Sequence, residues 1–186
     1  MARHKNRTRN LDQLKPFKKK DNKETVQVII ETPKDSRNKY AFEPDTGLFQ
    51  LRKVLPAGMV FPYDFGFIPS TEAEDGDPLD ILILMDAPAF PGCLVNARLI
   101  GVFEAEQTED GKTQRNDRLI AVANSSLTHS NVKDLDDLNK NLLDEMSKFF
   151  ENYHQGKGKS FKVLGQKGAK AAMKLLKKAQ RVKAGG

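Results

Sequence analysis

Cysteine and tryptophan are almost missing from this chain, whose 186 residues hold a single thiol, Cys93, and no Trp. One thiol cannot build an internal disulfide, which excludes the small disulfide-framed secreted scaffolds and points to a reducing compartment, the cytoplasm. Long apolar runs are lacking too. The densest covers residues 81–85, far short of the ~20 a membrane-spanning helix needs. The basic N-terminus has no apolar h-region, so a secretory leader is not expected, and five Lys among residues 1–20 disfavour a transit peptide. Acidic residues are absent from 157–186, where ten Lys or Arg stand, and residues 1–25 carry nine basic groups against three acids. The body between these ends holds 12 basic and 22 acidic residues. The chain-wide charge of +6 therefore averages an acidic body with two basic ends and describes neither.

What is present reads as one domain of ordinary length with enough chain to bury a core. Residues 1–24 are polar and aperiodic apart from Leu11, Leu14 and Phe17, and read as a basic mobile arm. From Thr25 the texture changes to short strands: 26–31, ended by Thr32-Pro33, and a hairpin of 39–42 with 48–55 about Pro44-Asp45-Thr46-Gly47. Further strands are expected at 79–85, at 94–106 and, after a Glu109-Asp110-Gly111-Lys112 turn, at 118–123. This spacing predicts a small closed β-barrel over 25–165. Leu135, Leu138, Leu142, Met146, Phe149 and Tyr153 recur at helical steps behind Asp134, Asp136 and Asp137. Ala169, Ala172, Met173 and Leu176 form a second such face, ending in Lys177, Lys178 and Arg181, within a basic C-terminal helix and tail at 166–186.

The segment Asp75-Gly76-Asp77-Pro78-Leu79-Asp80 carries the chemistry. Gly76 and Pro78 force a turn, so three carboxylates can converge instead of alternating up and down a strand. Converged carboxylates repel one another until a cation or proton neutralises them, and hard oxygen donors suit Mg²⁺, with Mn²⁺ as a possible substitute. An EF-hand is excluded, because a loop begun at Asp75 has Leu79 at its third ligand position and no Gly at its sixth. Lys39, Arg52, Lys53 and Arg118 are isolated cations in or beside predicted strands. Together with a metal they would neutralise a phosphate-rich substrate. Gly156-Lys157-Gly158-Lys159-Ser160 ends like a phosphate-binding P-loop, but Tyr153 occupies the place of its first Gly.

Asp75-Gly76-Asp77-Pro78-Leu79-Asp80-Ile81 resembles the signature of the family I soluble inorganic pyrophosphatases. The resemblance runs from about Val26 to Val163. It takes in Glu31-Thr32-Pro33, Lys39-Tyr40, the stretch from Phe61-Pro62 to Ile68-Pro69, Pro91-Gly92, Leu119-Ile120-Ala121-Val122 and Phe149-Phe150-Glu151-Asn152-Tyr153. It implies an α+β, mainly β fold: an OB-like five-stranded barrel with one or two packing helices. It also implies Mg²⁺-dependent hydrolysis of pyrophosphate to two phosphates, and a homo-oligomer, hexameric if bacterial. By the same resemblance Asp75 and Asp80 match metal ligands, Asp77 the general base, and Glu31 an acid that acts on the metal through water. Lys39 and Tyr153 match phosphate contacts.

Departures from the pattern are as informative. The family's phosphate-binding Arg falls on Lys53, beside Arg52, and Lys lacks the bidentate fork. An active-site Glu falls on Ala41, a Tyr on Phe65, one Lys on Arg118 and another on His154, which loses its charge on deprotonation. The second pair of metal-binding Asp falls near Gln107 and on Asn116, in a hairpin about four residues longer than the family's, with Asp117 the preferred replacement ligand ahead of Glu104, Glu106 and Asp110. Ala41, Phe65 and Lys53 all lie where substrate charge is read. A related phosphoanhydride hydrolase, acting on polyphosphate or a nucleotide, is therefore the alternative enzyme reading. A nucleic-acid-binding OB module is the non-enzymatic one, disfavoured because the barrel segment is acidic where such modules present a basic groove.

Overall fold

A computed structural model describes residues 10–18, 25–155 and 159–180. The strands in chain order are β1 (Val26–Thr32), β2 (Asn38–Glu43), β3 (Leu48–Val54), β4 (Asp64–Phe67), β5 (Asp80–Leu84), β6 (Leu94–Glu109), β7 (Lys112–Arg115), β8 (Arg118–Ala123) and β9 (Lys159–Gly168). Two α-helices come late, α1 (Lys140–His154) and α2 (Ala169–Ala179). Five strands form a closed ring, β1-β4-β5-β8-β6, because β6 pairs back onto β1. The fold is mainly β with two helices, as expected. The β2–β3 hairpin is a separate two-stranded sheet beside the ring, so the expected strand count is met by β4, which was not anticipated. Asp64-Phe65-Gly66-Phe67 is too short, with Gly inside it, to show a clear alternation.

The ring strands are apolar on both faces, because each face is covered. Ile81, Ile83, Leu119 and Ala121 pack in one cluster with Ala172 and Leu176 of α2. Leu82, Leu84, Ile120 and Val122 pack in the other with Leu143, Met146 and Phe150 of α1. Continuous apolar strands are the sequence mark of this double burial.

Three expectations change. The helical face expected from Leu135 onward is broken: Leu135–Asp137 is a 3-10 turn, and α1 begins at Lys140, where the Asn139 side chain accepts from the Asn141 N–H at 2.9 Å. Asp134 and Asp137 satisfy that turn reciprocally as a capping box rather than starting the α-helix. The boundary expected at 165/166 falls inside β9, which pairs with β6 over its full length, and α2 joins the main core. Of the expected mobile arm, residues 10–18 are docked. Leu11 and Leu14 pack near Ile29, Phe42 and Phe67, and the Ser70 hydroxyl donates to the Leu14 carbonyl at 2.8 Å. Residues 1–9, 19–24, 156–158 and 181–186, which include parts of both basic ends and of the P-loop-like run, lie outside the described residues.

Candidate active site

Strand pairing assembles the site. β5 and β8 run parallel, with Ile81 opposite Leu119, so Asp80 and Arg118 stand side by side at the beginnings of their strands. Their side chains meet at 2.8 Å. The acidic loop precedes β5 directly. Gly76 holds φ at +88°, a conformation that favours glycine, and the Asp77 N–H donates to Asp75 Oδ1 at 3.1 Å. The turn therefore presents Asp75, Asp77 and Asp80 to one cavity of about 310 Å³.

Basic and aromatic groups face them. Lys39 opposes Lys53 across the β2–β3 pair. Like charges directly opposite each other destabilise a sheet, so this pairing concentrates positive charge at one end of the hairpin. Lys39 Nζ lies 4.6 Å from the Phe65 ring centre, and Lys53 Nζ lies 4.6 Å from that of Tyr153. Lys53 also donates to the Tyr153 carbonyl at 3.1 Å, placing it at the rim. Lys39, Arg118, Tyr153 and His154 line the same cavity as the three Asp. A second lobe of about 570 Å³ shares Lys39, Asp77 and Asp80 with the first and adds Glu31, Ala41, Arg52 and Asp12. Arg52 is half-exposed and paired with Glu43 at 2.5 Å.

The acids feel one another. Glu31 is buried, and that burial lifts its pKa to about 7, with Asp80 and Asp77 adding to the rise against Lys39 and the Phe42 N–H that Glu31 accepts at 2.7 Å. Burial also raises Asp75, with smaller upward pushes from Asp77 and Asp80. Among the described residues, no three His, Cys, Asp or Glu side chains form a closed cage for a metal ion. The donor set nonetheless fits a small hard cation. Such an ion keeps several waters and is held by one or two carboxylates plus substrate phosphate oxygens, so it needs no all-protein cage.

Asp117 does not join the cluster. In the short link from β7 into β8, Asn116 and Arg118 line the cavity of the Asp loop while Asp117 turns the other way. Its Oδ1 accepts from the Ala105 N–H at 2.9 Å and Arg115 Nε at 2.7 Å, beside a separate small cavity lined by Glu72 and Glu74. The residues facing the Asp loop are instead Gln107 and Asn116, whose amides bond at 2.7 Å. The sequence pointed to both positions as departures. Their direct contact follows from the β6–β7 register, which no local signal fixes.

His154 does not supply a cation. Burial, with Arg118, Lys39 and Lys53 nearby, depresses its pKa to about 3. Its Nδ1 lies 2.8 Å from the Phe150 carbonyl, which can only accept, so Nδ1 carries the proton and Nε2 is an acceptor. A phosphate contact by donation from neutral Nε2 is thereby excluded. The depressed pKa has a sign for stability. An unfolded His takes its proton near 6.5 and the folded one only near 3, so the folded state loses stability as pH falls through that window. His154→Gln is expected to lose less urea stability than wild type between about pH 7 and pH 5, read from the midpoints at each pH. Equal losses in the two proteins would remove this assignment.

A family profile described as inorganic pyrophosphatase matches residues 28–183. An inorganic pyrophosphatase of Synechocystis sp. is 40% identical over 151 residues, covering 81% of this chain and 87% of the relative. One of Thermus thermophilus is 39% identical over 153 residues, covering 81% and 85%. The crystal structure of inorganic pyrophosphatase from Thermus thermophilus superposes with a TM-score of 0.83 at 36% identity, covering 91% of this chain and 96% of that one. A Helicobacter pylori inorganic pyrophosphatase structure gives 0.78 at 36% identity, covering 84% and 92%.

Proposed function

The chain belongs to the inorganic pyrophosphatase family, and from that premise we propose that it hydrolyses pyrophosphate to two phosphates with Mg²⁺. The observation that carries the reading is the single cavity in which three loop carboxylates face Lys39 and Arg118. Asp77, at the junction of both lobes, takes the proton from the attacking water. Water oxygen bonds to one phosphorus as the bridging P–O bond breaks, and the second phosphate leaves. Lys39, Lys53, Arg118 and the Tyr153 hydroxyl hold the phosphate oxygens and neutralise charge on the leaving group. Asp75 and Asp80, with Glu31 beside them, would hold the divalent cation, Asp80 through the carboxylate oxygen that Arg118 leaves free. That ion neutralises phosphate charge and acidifies water when bound. Phosphate release from pyrophosphate with Mg²⁺ tests the proposal, and none across a range of divalent metals would overturn it.

The larger lobe favours one second reading, a longer phosphoanhydride. Ala41 leaves its wall short, and Phe65 offers no hydroxyl to the smaller lobe, so tripolyphosphate and nucleoside triphosphates belong in the same assay. Asp117→Ala is expected to leave turnover unchanged. It should lower stability by about 1–3 kcal/mol in urea unfolding, because the Ala105 N–H loses its acceptor. A collapse of turnover with stability intact would restore Asp117 to the site.

The same proposal includes a cytoplasmic homo-oligomer. Among the described residues no helix is long and apolar enough to cross a membrane. The exposed apolar groups Leu48, Leu51 and Val54 of β3, with Phe90 and Leu94, support self-association.

A further inference from the structure

Opposite the Asp loop, the cavity wall is built of neutral amides and one fixed cation. The Arg118 side chain is only 5% exposed. Its guanidinium lies over Phe150 at 5.7 Å and over Phe161 at 5.3 Å, a position that holds the charge in place. Arg118 Nη1 donates to Asp80 Oδ2, to Asn116 Oδ1 and to the Asp117 carbonyl. From there a chain of donors runs outward. Asn116 Nδ2 donates to Gln107 Oε1 at 2.7 Å, and Gln107 Nε2 to Glu109 at 3.4 Å. Glu109 in turn pairs with Lys159.

The direction of these bonds matters. A cation bound at this wall would need Asp80 Oδ2, Asn116 Oδ1 or Gln107 Oε1. Arg118 already occupies the first two, and the Asn116 amide the third. A metal ion brought onto those oxygens would stand beside a buried guanidinium of the same sign, where the low dielectric strengthens repulsion. The guanidinium's own capacity is only partly used: its three bonds leave from Nη1, and its buried Nε–H has no partner. Arginine offers five donors in a planar fork suited to phosphate.

We infer that this wall takes no metal ion, and that the Arg118 guanidinium stands there as a built-in cation for the substrate's phosphate. The inference rests on the proposed phosphoanhydride substrate but concerns how its charge is met. Divalent ions are confined to the side of Asp75, Glu31 and the Asp80 oxygen that faces away from Arg118. One phosphate is then recognised directly by protein, with no metal ion between them.

Two measurements test it without turnover. The first is Mn²⁺ binding counted by electron paramagnetic resonance, on wild type and on the Gln107→Asp/Asn116→Asp double variant. The double variant is expected to bind at least one more ion per chain than wild type, because two carboxylates then outweigh the guanidinium. Equal counts would overturn the inference. The second is calorimetric binding of inorganic pyrophosphate in excess EDTA. Wild type is expected to bind, Arg118→Lys at least tenfold more weakly, and Asn116→Asp more weakly as well, since its new carboxylate competes for the guanidinium. Arg118 is buried, so the Asn116 variant keeps the test available if the Arg118 variant does not fold. Wild type that binds no pyrophosphate in EDTA, yet hydrolyses it with Mg²⁺, would overturn the inference and leave the proposed function standing. Absent turnover with an unchanged Mn²⁺ difference would do the reverse.

Discussion

Asp77→Asn is expected to lower pyrophosphate turnover by roughly 10²–10⁴-fold, the range for loss of a positioned general base. The substitution is close to isosteric. The backbone N–H that ties residue 77 to Asp75 Oδ1 remains, so the loop keeps its shape while the proton acceptor disappears. Asp77 also borders both lobes of the cavity, a position that reaches substrate in either. The effect should therefore fall on kcat more than on KM, with far-UV circular dichroism unchanged. A variant with wild-type kcat would remove Asp77 from the proton transfer and leave Glu31 as the buried carboxylate to examine.

Gly66→Ala should have the largest effect on the fold. A Cβ built at Gly66 would lie 1.9 Å from the Ile29 carbonyl oxygen, and that oxygen belongs to the strand with which β4 pairs. Backbone cannot yield as a side-chain tip can. Relief requires parting β1 from β4, which opens the ring beside Phe65 and so disturbs the seat of Lys39. Overpacking at such a contact is expected to cost roughly 3 kcal/mol or more, seen as a lowered melting temperature or insoluble expression. Gly165→Ala is the control. Its Cβ would meet only Glu104 Oε2, a side-chain atom, at 3.4 Å, and it should melt near wild type.

The elements legible in the sequence are those whose own residues carry the period. The hairpin about Pro44-Asp45-Thr46-Gly47, the β6–β7 turn at Asp110-Gly111 and the α2 face of Ala172 and Leu176 stand close to where the pattern puts them. β9 was not among the expected strands because Lys159–Gly168 is rich in Lys and Gly. The 101–109 run of β6, which pairs with it along its whole length, makes it a strand. The break before α1 was hidden because Leu135 and Leu138 continue the apolar spacing while the Asp134 and Asp137 side chains satisfy a tighter turn. In the site, the Asp loop declares itself because Gly and Pro sit among the acids. The neutrality of His154 and the turn of Asp117 towards the Ala105 N–H depend on burial and on how β6 packs beside the β7–β8 link, which belong to the assembled structure and not to any short segment.

The parallel pairing of β5 with β8 also governs how the protein comes into being. Adjacent parallel strands cannot be joined by a tight turn, so the chain must travel out through β6 and β7 before Arg118 can arrive beside Asp80. Closing so long a loop carries an entropic penalty before any contact repays it, and such non-local pairings slow folding. β6 and β8 are also the strands that shut the ring. The pairing of β8 between β5 and β6, which completes the ring, and the arrival of the cavity's buried cation are thus one event. A chain halted before it holds its acidic loop without the cation that answers it, and the finished site is a record that the ring has closed.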